Sequence, residues 1–170
     1  MDFNDTAEEA KFRKEAYEWL KANADLKEGP KDGWRASSEE EGLEQVKVWQ
    51  NKLYESGWAC MHWPKEFGGR ESTPIERVIW GQEISKFKVP GGYLEIGQGM
   101  AGPVMMMYAT EEQKARHLPP MAKGEEIWCQ LFSEPGAGSD LAGLKTKSVL
   151  EGDTWTINGQ KIWTSGAHFS

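Results

Sequence analysis

Trp128-Cys-Gln-Leu-Phe-Ser-Glu-Pro-Gly-Ala-Gly-Ser-Asp-Leu-Ala-Gly143 separates two kinds of sequence in this chain. Ahead of it apolar residues recur at helical spacing; behind it, from Lys145, they alternate with the period of a strand. Ile127 to Phe132 reads as a buried strand leading into a glycine loop. Gly136, Gly138 and Ser139 can offer several backbone N–H groups and a hydroxyl to one anion, and glycine allows the close approach that a phosphate or pyrophosphate needs. Taken alone, the same residues also suit a plain turn. A dinucleotide-binding fingerprint is excluded, because Leu141 stands where its third glycine belongs and no crossover helix follows. No Gly-Lys-Ser/Thr of a P-loop is present either.

Working back from the loop, four helix starts can be read from capping chemistry. Thr6-x-x-Glu9 is a capping box ahead of Phe12, Ala16, Trp19 and Leu20, which share one helical face. Ser38-x-x-Glu41 repeats the device ahead of Leu43, Val46, Trp49 and Leu53, with Gly57 as the stop. Thr73-Pro-Ile-Glu76 places proline at the first helical position, where its missing N–H costs nothing. Thr110-x-x-Gln113 opens a fourth helix, expected to end near Leu118 ahead of Pro119-Pro120. Tyr93 to Tyr108 is apolar nearly all round and contains Gly97, Gly99, Gly102 and Pro103, the pattern of a buried helix. That pattern fits a tightly packed core helix or the wall of an apolar pocket. The connection Gly57 to Gly69 reads as rigid, from its aromatic residues and Pro64.

Working forward, Gly152-Asp153 and Asn158-Gly159 mark two tight turns, the second a strong hairpin signal. The fold class is therefore α+β: a helical domain over residues 1–125, then an antiparallel β segment over 126–170. A strand and two hairpins cannot build a core of their own. Further sequence or a second polypeptide is expected to complete the sheet, and the chain reads as truncated.

Bulk properties limit the possible functions. Lys+Arg 20 against Asp+Glu 27 leaves a net charge of −7, which disfavours polyanions and hence a nucleic-acid role. Mean hydropathy is −0.68, and no apolar run approaches the roughly 20 residues of a membrane span. The acidic start from Met1 lacks the basic, apolar form of a secretory signal, so a cytoplasmic location is expected. Cys60 and Cys129 form no CxxC pair, and His62, His117 and His168 lie far apart, so no metal site is assigned. Nine tryptophans are mainly packing residues on this reading, with Trp163 singled out below.

Phe132-Ser-Glu-Pro-Gly-Ala-Gly-Ser-Asp140 closely resembles the first signature of the acyl-CoA dehydrogenases. Asn158-Gly-Gln-Lys-Ile-Trp-Thr-Ser165 follows at the expected distance and is similar to that family's second flavin-contacting strand. Trp63-Pro-Lys-Glu-Phe-Gly-Gly69 and Thr110-Glu-Glu-Gln-Lys-Ala-Arg-His-Leu-Pro119 resemble family segments in the same order, so the likeness covers nearly the whole chain.

The resemblance implies a helical domain followed by the start of an antiparallel β-barrel, with FAD as cofactor. Gln130, Leu131, Phe132 and Ser133 would lie along the pyrimidine edge of the flavin. Gly138 and Ser139 would sit at the diphosphate, and Ser139 would also reach the CoA moiety. Trp163 would pack against the isoalloxazine, Ser165 would face N5, and Thr164 between them would belong to the cofactor site. Tyr93, Ile96, Gly97 and Met100 would line the acyl chain, the glycines at 97, 99 and 102 leaving room for a bulky or branched group. The implied reaction is α,β-dehydrogenation of an acyl-CoA thioester, within fatty acid metabolism and lipid degradation. Electrons would pass to an electron-transfer flavoprotein, and the complete protein would be a homo- or hetero-oligomer. The family's base is a glutamate in a C-terminal helical bundle that no segment here matches, so no catalytic residue is assigned. Glu134 reads as structural and Asp140 as a turn cap. Two alternatives stand beside this: a flavin oxidase, nitroalkane oxidase or monooxygenase of the same fold, and a non-catalytic chain that lends part of a flavin site to a partner.

Overall fold

Each of the four capped starts opens a helix in the computed structural model, which describes residues 4–170; the first three residues of the acidic start lie outside the described residues. The chain forms two compact units, the first ending at Glu126 and the second spanning Ile127–Ser170.

In the first unit, helix α1 (Ala7–Asn23) starts where Thr6 Oγ1 accepts the Glu9 N–H at 3.2 Å and the Glu9 carboxylate accepts the Thr6 N–H at 2.7 Å. Such a reciprocal cap satisfies two N–H groups that the first turn leaves without helical partners. Phe12, Ala16 and Leu20 are buried, and α1 packs on α3 (Pro74–Ile84). Helix α2 (Glu39–Glu55) buries Val46, Trp49 and Leu53 and packs on α5 (Glu111–Lys123). Between α1 and α3 a short antiparallel pair joins β1 (Asp25–Leu26) to β2 (Phe87–Lys88). Trp63, Phe87, Leu20, Ile79, Leu118 and Met121 are the largest side chains cut off from solvent. Burying a residue of this size contributes about 1.5–3 kcal/mol.

One carboxylate lies in this core. Glu83 is 1 % exposed and receives Arg13 at 2.8 Å and Lys86 at 2.5 Å. Its burial disfavours the charge, but the two cations outweigh it and hold the carboxyl below its ordinary range.

Two expectations about the first unit need correction. Helix α5 does not stop at Leu118 but runs through Pro119 and Pro120 to Lys123. Leu118, Met121 and Ala122 are buried along its length, and Gly124 ends it in the left-handed region at φ 78°. Its last carbonyls, beyond the reach of the regular helical N–H ladder, find side-chain donors, Gln98 Nε2 at Met121 O (3.1 Å) and Gln50 Nε2 at Ala122 O (2.7 Å), while the two prolines leave the Ala115 and Arg116 carbonyls without their α-helical donors. The segment Tyr93 to Tyr108 is not buried all round. Leu94, Gly97 and Gly102 are buried, whereas Val104, Met107 and Tyr108 on α4 (Gly102–Tyr108) are 57 %, 71 % and 78 % exposed.

In the second unit β3 (Lys147–Glu151) and β4 (Thr154–Asn158) form one antiparallel hairpin around Gly152, which takes φ 60°. Opposite residues share a face, so Ser148, Leu150, Trp155 and Ile157 make an apolar side and Lys147, Glu151, Thr154, Thr156 and Asn158 a mainly polar one. Asn158-Gly159 makes no second hairpin. A Cβ on Gly159 would lie 2.1 Å from Thr146 Oγ1, so this glycine permits a close backbone approach instead. Nor is Ile127 to Phe132 a buried strand: Leu131 and Phe132 are 56 % and 60 % exposed. Its end is met by one backbone N–H and one lysine side chain rather than by a ladder of a neighbouring strand. Among the described residues, no helix is long and apolar enough to cross a membrane.

Candidate functional site

The glycine loop is organised by a single carboxylate. Glu134 is 7 % exposed and accepts the backbone N–H of Lys145 at 2.7 Å, that of Thr146 at 3.0 Å, and Lys161 Nζ at 2.9 Å. Its own N–H and C=O pair with Ala137 at 2.8 and 3.1 Å, closing the turn through Pro135 and Gly136. Hydrogen bonds from Thr146, Lys145 and Lys161 all favour the charged form and bring its pKa down to about 2. With its lone pairs committed to the loop, Glu134 is an anchor and a poor proton acceptor. Asp140 departs from expectation. It precedes a single 3-10 turn, Leu141–Gly143, and makes no side-chain cap; its carbonyl accepts the Gly143 N–H at 3.2 Å instead.

Two segments far apart in sequence meet at this anchor. Ile162 N–H donates to Ser133 O at 3.0 Å, and Lys161 Nζ also reaches Phe132 O at 3.1 Å. Ser133 and Trp163 therefore flank one joint. Gln130, Ser133 and Thr164 are half-buried, while Leu131, Phe132, Gly138, Ser139 and Ser165 are exposed. No atom lies within 4 Å of where a Cβ on Gly136 or Gly138 would stand, so the loop backbone faces open space. Trp163 is 88 % exposed and sits at φ 58°, a left-handed conformation that costs a bulky residue roughly 1–2 kcal/mol. The Ile162 bond on one side and the Ala167 N–H to Thr164 O bond (3.4 Å) on the other hold it there. Chemically the surface offers a bare indole for a planar ring, a polar edge from Gln130 to Ser133, and an approachable glycine backbone with the Ser139 hydroxyl. A flavin ring with a diphosphate tail fits that donor set. Lys161 was not among the residues the sequence singled out; its position inside the Asn158–Ser165 motif was the available signal.

The proposed wall residues lie in the first unit, on and before a π turn, Gly97–Ala101. Tyr93 is half-buried, and its hydroxyl lies 2.9 Å from where a Cβ on Gly42 of α2 would stand. Ile96 is half-buried, Gly97 buried and Met100 48 % exposed. Gly99 faces open space, but Gly102 does not: its Cβ would lie 2.1 Å from Trp63 Cζ2. The third glycine thus makes room for a tryptophan of this chain, not for a ligand. Nearby, Cys60 is buried at φ 39°, and burial pushes its thiol up to about 12, which leaves it inert.

Residues 6–125 match the family model described as acyl-CoA dehydrogenase, N-terminal domain, and residues 129–170 match acyl-CoA dehydrogenase, middle domain. The chain belongs to the acyl-CoA dehydrogenase family. Among curated acyl-CoA dehydrogenases it is similar to IpdE1 of Mycobacterium tuberculosis, 42% identical over 78% of this chain and 34% of that protein. IpdE1 of Mycolicibacterium smegmatis is 38% identical over 94% of this chain and 43% of its own length. Among solved structures, the Tcur3481-Tcur3483 steroid ACAD superposes with a TM-score of 0.71 at 30% identity, covering 100% of this chain and 43% of that one. The ChsE4-ChsE5 complex from Mycobacterium tuberculosis gives 0.69 at 30% identity, covering 100% of this chain and 42% of that one. The chain thus spans between 34% and 43% of the length of these acyl-CoA dehydrogenase relatives.

Proposed function

We propose that this chain contributes an FAD-binding surface and part of an acyl pocket to an acyl-CoA dehydrogenase. The observation that carries the reading is the joint of Ile162 N–H to Ser133 O, which sets the loop from Gln130 to Ser139 beside Trp163, Thr164 and Ser165. In this proposal Gln130, Leu131, Phe132 and Ser133 line the polar edge of the flavin, and the Trp163 indole covers its ring and excludes water. Gly138 and Ser139 meet the diphosphate, Ser139 also reaches the CoA moiety, and Ser165 faces N5. Bound FAD would supply a two-electron acceptor for the hydride leaving the acyl β-carbon as the α-proton goes to a base. Glu134 is not that base, because its hydrogen bonds hold it ionised at low pH.

Tyr93, Ile96, Gly97 and Met100 form the acyl wall in this reading. Gly99, with nothing within 4 Å of its would-be Cβ, supports a bulky acyl group, and the Tcur3481-Tcur3483 steroid ACAD is among the structural neighbours. An electron-transfer flavoprotein is the proposed acceptor. The apolar hairpin side of Leu150, Trp155 and Ile157, together with the structural likeness to the ChsE4-ChsE5 complex, supports a further polypeptide at the second unit.

The test is the absorbance spectrum of the purified chain after incubation with FAD and removal of free cofactor. A retained flavin band is the expected result. A colourless protein would overturn the claim that this surface grips FAD unaided. Peroxide formation with acyl-CoA would favour the oxidase alternative.

A further inference from the structure

Gly102 N–H donates to Gly97 O, the bond that defines the π turn. In an ordinary α-helix that N–H would serve Gln98 O instead. The next donor along is residue 103, a proline, which has none. The turn therefore strips Gln98 O of both helical partners. Trp63, with 0 % of its surface exposed, supplies the replacement: its Nε1–H donates to Gln98 O at 2.9 Å. His62 also hydrogen-bonds to the Gln98 backbone, which opposes the lowering of its pKa by desolvation and by Arg77. The same Trp63 ring fills the space beside Gly102, where a Cβ would clash at 2.1 Å. Pro103 supplies the reason for the turn, because its ring would press on the Gly99 carbonyl in α register. π turns cluster at functional sites because they re-aim the residues they carry.

We infer that Trp63 is a positioning residue that locks the π turn and thereby sets the register in which Ile96, Gly97 and Met100 meet an acyl chain. The inference rests on the acyl-wall reading for its function but not for its geometry. Without the indole N–H, Gln98 O pulls Gly102 N–H toward α register against the Pro103 ring, and residues beyond Gly97 lose their fixed register. The wall then presents a different side chain to the ligand.

The test uses the isotope-labelled chain, with amide and indole hydrogen exchange by NMR and octanoyl-CoA as the probe at the Met100 methyl. Trp63→Phe keeps most of the ring and removes the N–H. Pro103→Ala leaves the core intact and removes the ring that opposes α register. In Pro103→Ala the Trp63 indole N–H is expected to exchange about tenfold faster, the equivalent of one hydrogen bond. In Trp63→Phe the Met100 response to octanoyl-CoA is expected to fall, and adding Pro103→Ala should restore amide protection over residues 97–104 without restoring that response. This split separates positioning from packing. Unchanged indole exchange in Pro103→Ala would overturn the lock even if Trp63→Phe fails to fold. Recovery of protection and ligand response together would also overturn it, since packing alone would then suffice. Accelerated exchange with no Met100 response in the wild-type chain would support the lock and overturn the acyl-wall reading.

Discussion

Lys161 Nζ stands 2.9 Å from Glu134 Oε1 and ties together two motif segments 27 residues apart. With the Lys145 and Thr146 amides on the same carboxylate, this one side chain fixes the loop that faces the proposed cofactor.

The first prediction is an acid titration. The folded pKa of Glu134 is depressed to about 2 from an ordinary 4.5, so its contribution is whole above 4.5 and is lost as pH falls toward 2. The Lys145 and Thr146 amide shifts should inflect near the lower value, and Glu134→Gln should abolish the inflection. A midpoint in the ordinary carboxylate range, about 4 to 4.5, would contradict the hydrogen-bond network.

Trp163→Gly should separate stability from ligand binding. Glycine enters the left-handed region without steric cost, so the second unit should hold or gain up to about 1 kcal/mol in denaturant unfolding. FAD retention should drop sharply, because the exposed indole is gone. Equal retention by the variant would remove Trp163 from the proposed site.

Gly102 and Gly99 lie three residues apart and should behave oppositely. Gly102→Ala drives a methyl into the Trp63 ring and should destabilise by about 1–3 kcal/mol. Gly99→Ala meets nothing and should be neutral or stabilising by about 0.5–1 kcal/mol. Thermal unfolding of both variants checks this.

Arg13→Met leaves the buried Glu83 carboxylate with Lys86 alone. Breaking a buried pair from one side costs about 3–5 kcal/mol, and the remaining lysine should keep the loss at the lower end. Arg13→Met with Glu83→Leu should recover part of it, as a denaturant double-mutant cycle would measure.

What the sequence disclosed was local chemistry. Thr6, Ser38, Thr73 and Thr110 each accept an N–H in the first helical turn, an interaction confined to three residues and therefore readable without a fold. The Gly152 turn was legible for the same reason. What it concealed was tertiary. Helix α5 outlasts its two prolines because Leu118, Met121 and Ala122 are buried in the core, and Gln50 and Gln98, distant in sequence, cap its last carbonyls. The π turn depends on Trp63, 35 residues upstream, and only Pro103 hints at it. Asn158-Gly159 carries a hairpin signal, but Thr146 sits where a Cβ would be, and that approach decides the backbone path. At the candidate site, the motif likeness named the loop and Trp163. The commitment of Glu134 to Lys145, Thr146 and Lys161 became visible only in the structure.

The packing of the tryptophans has an optical consequence. Trp58 stacks on Trp80 at 4.7 Å with Arg70 3.8 Å above its ring, and Trp19 lies within 6.2 Å of Trp49, Trp58 and Trp80. Excitation absorbed in that cluster should be shared, so its emission is expected to be blue-shifted and to report the integrity of the helical unit. Trp155 and Trp163, at 60 % and 88 % exposure, are expected to emit to the red of it. Two colours of intrinsic fluorescence thus come from one unlabelled chain, one reading the unfolding of the first unit and the other reading whatever covers the second.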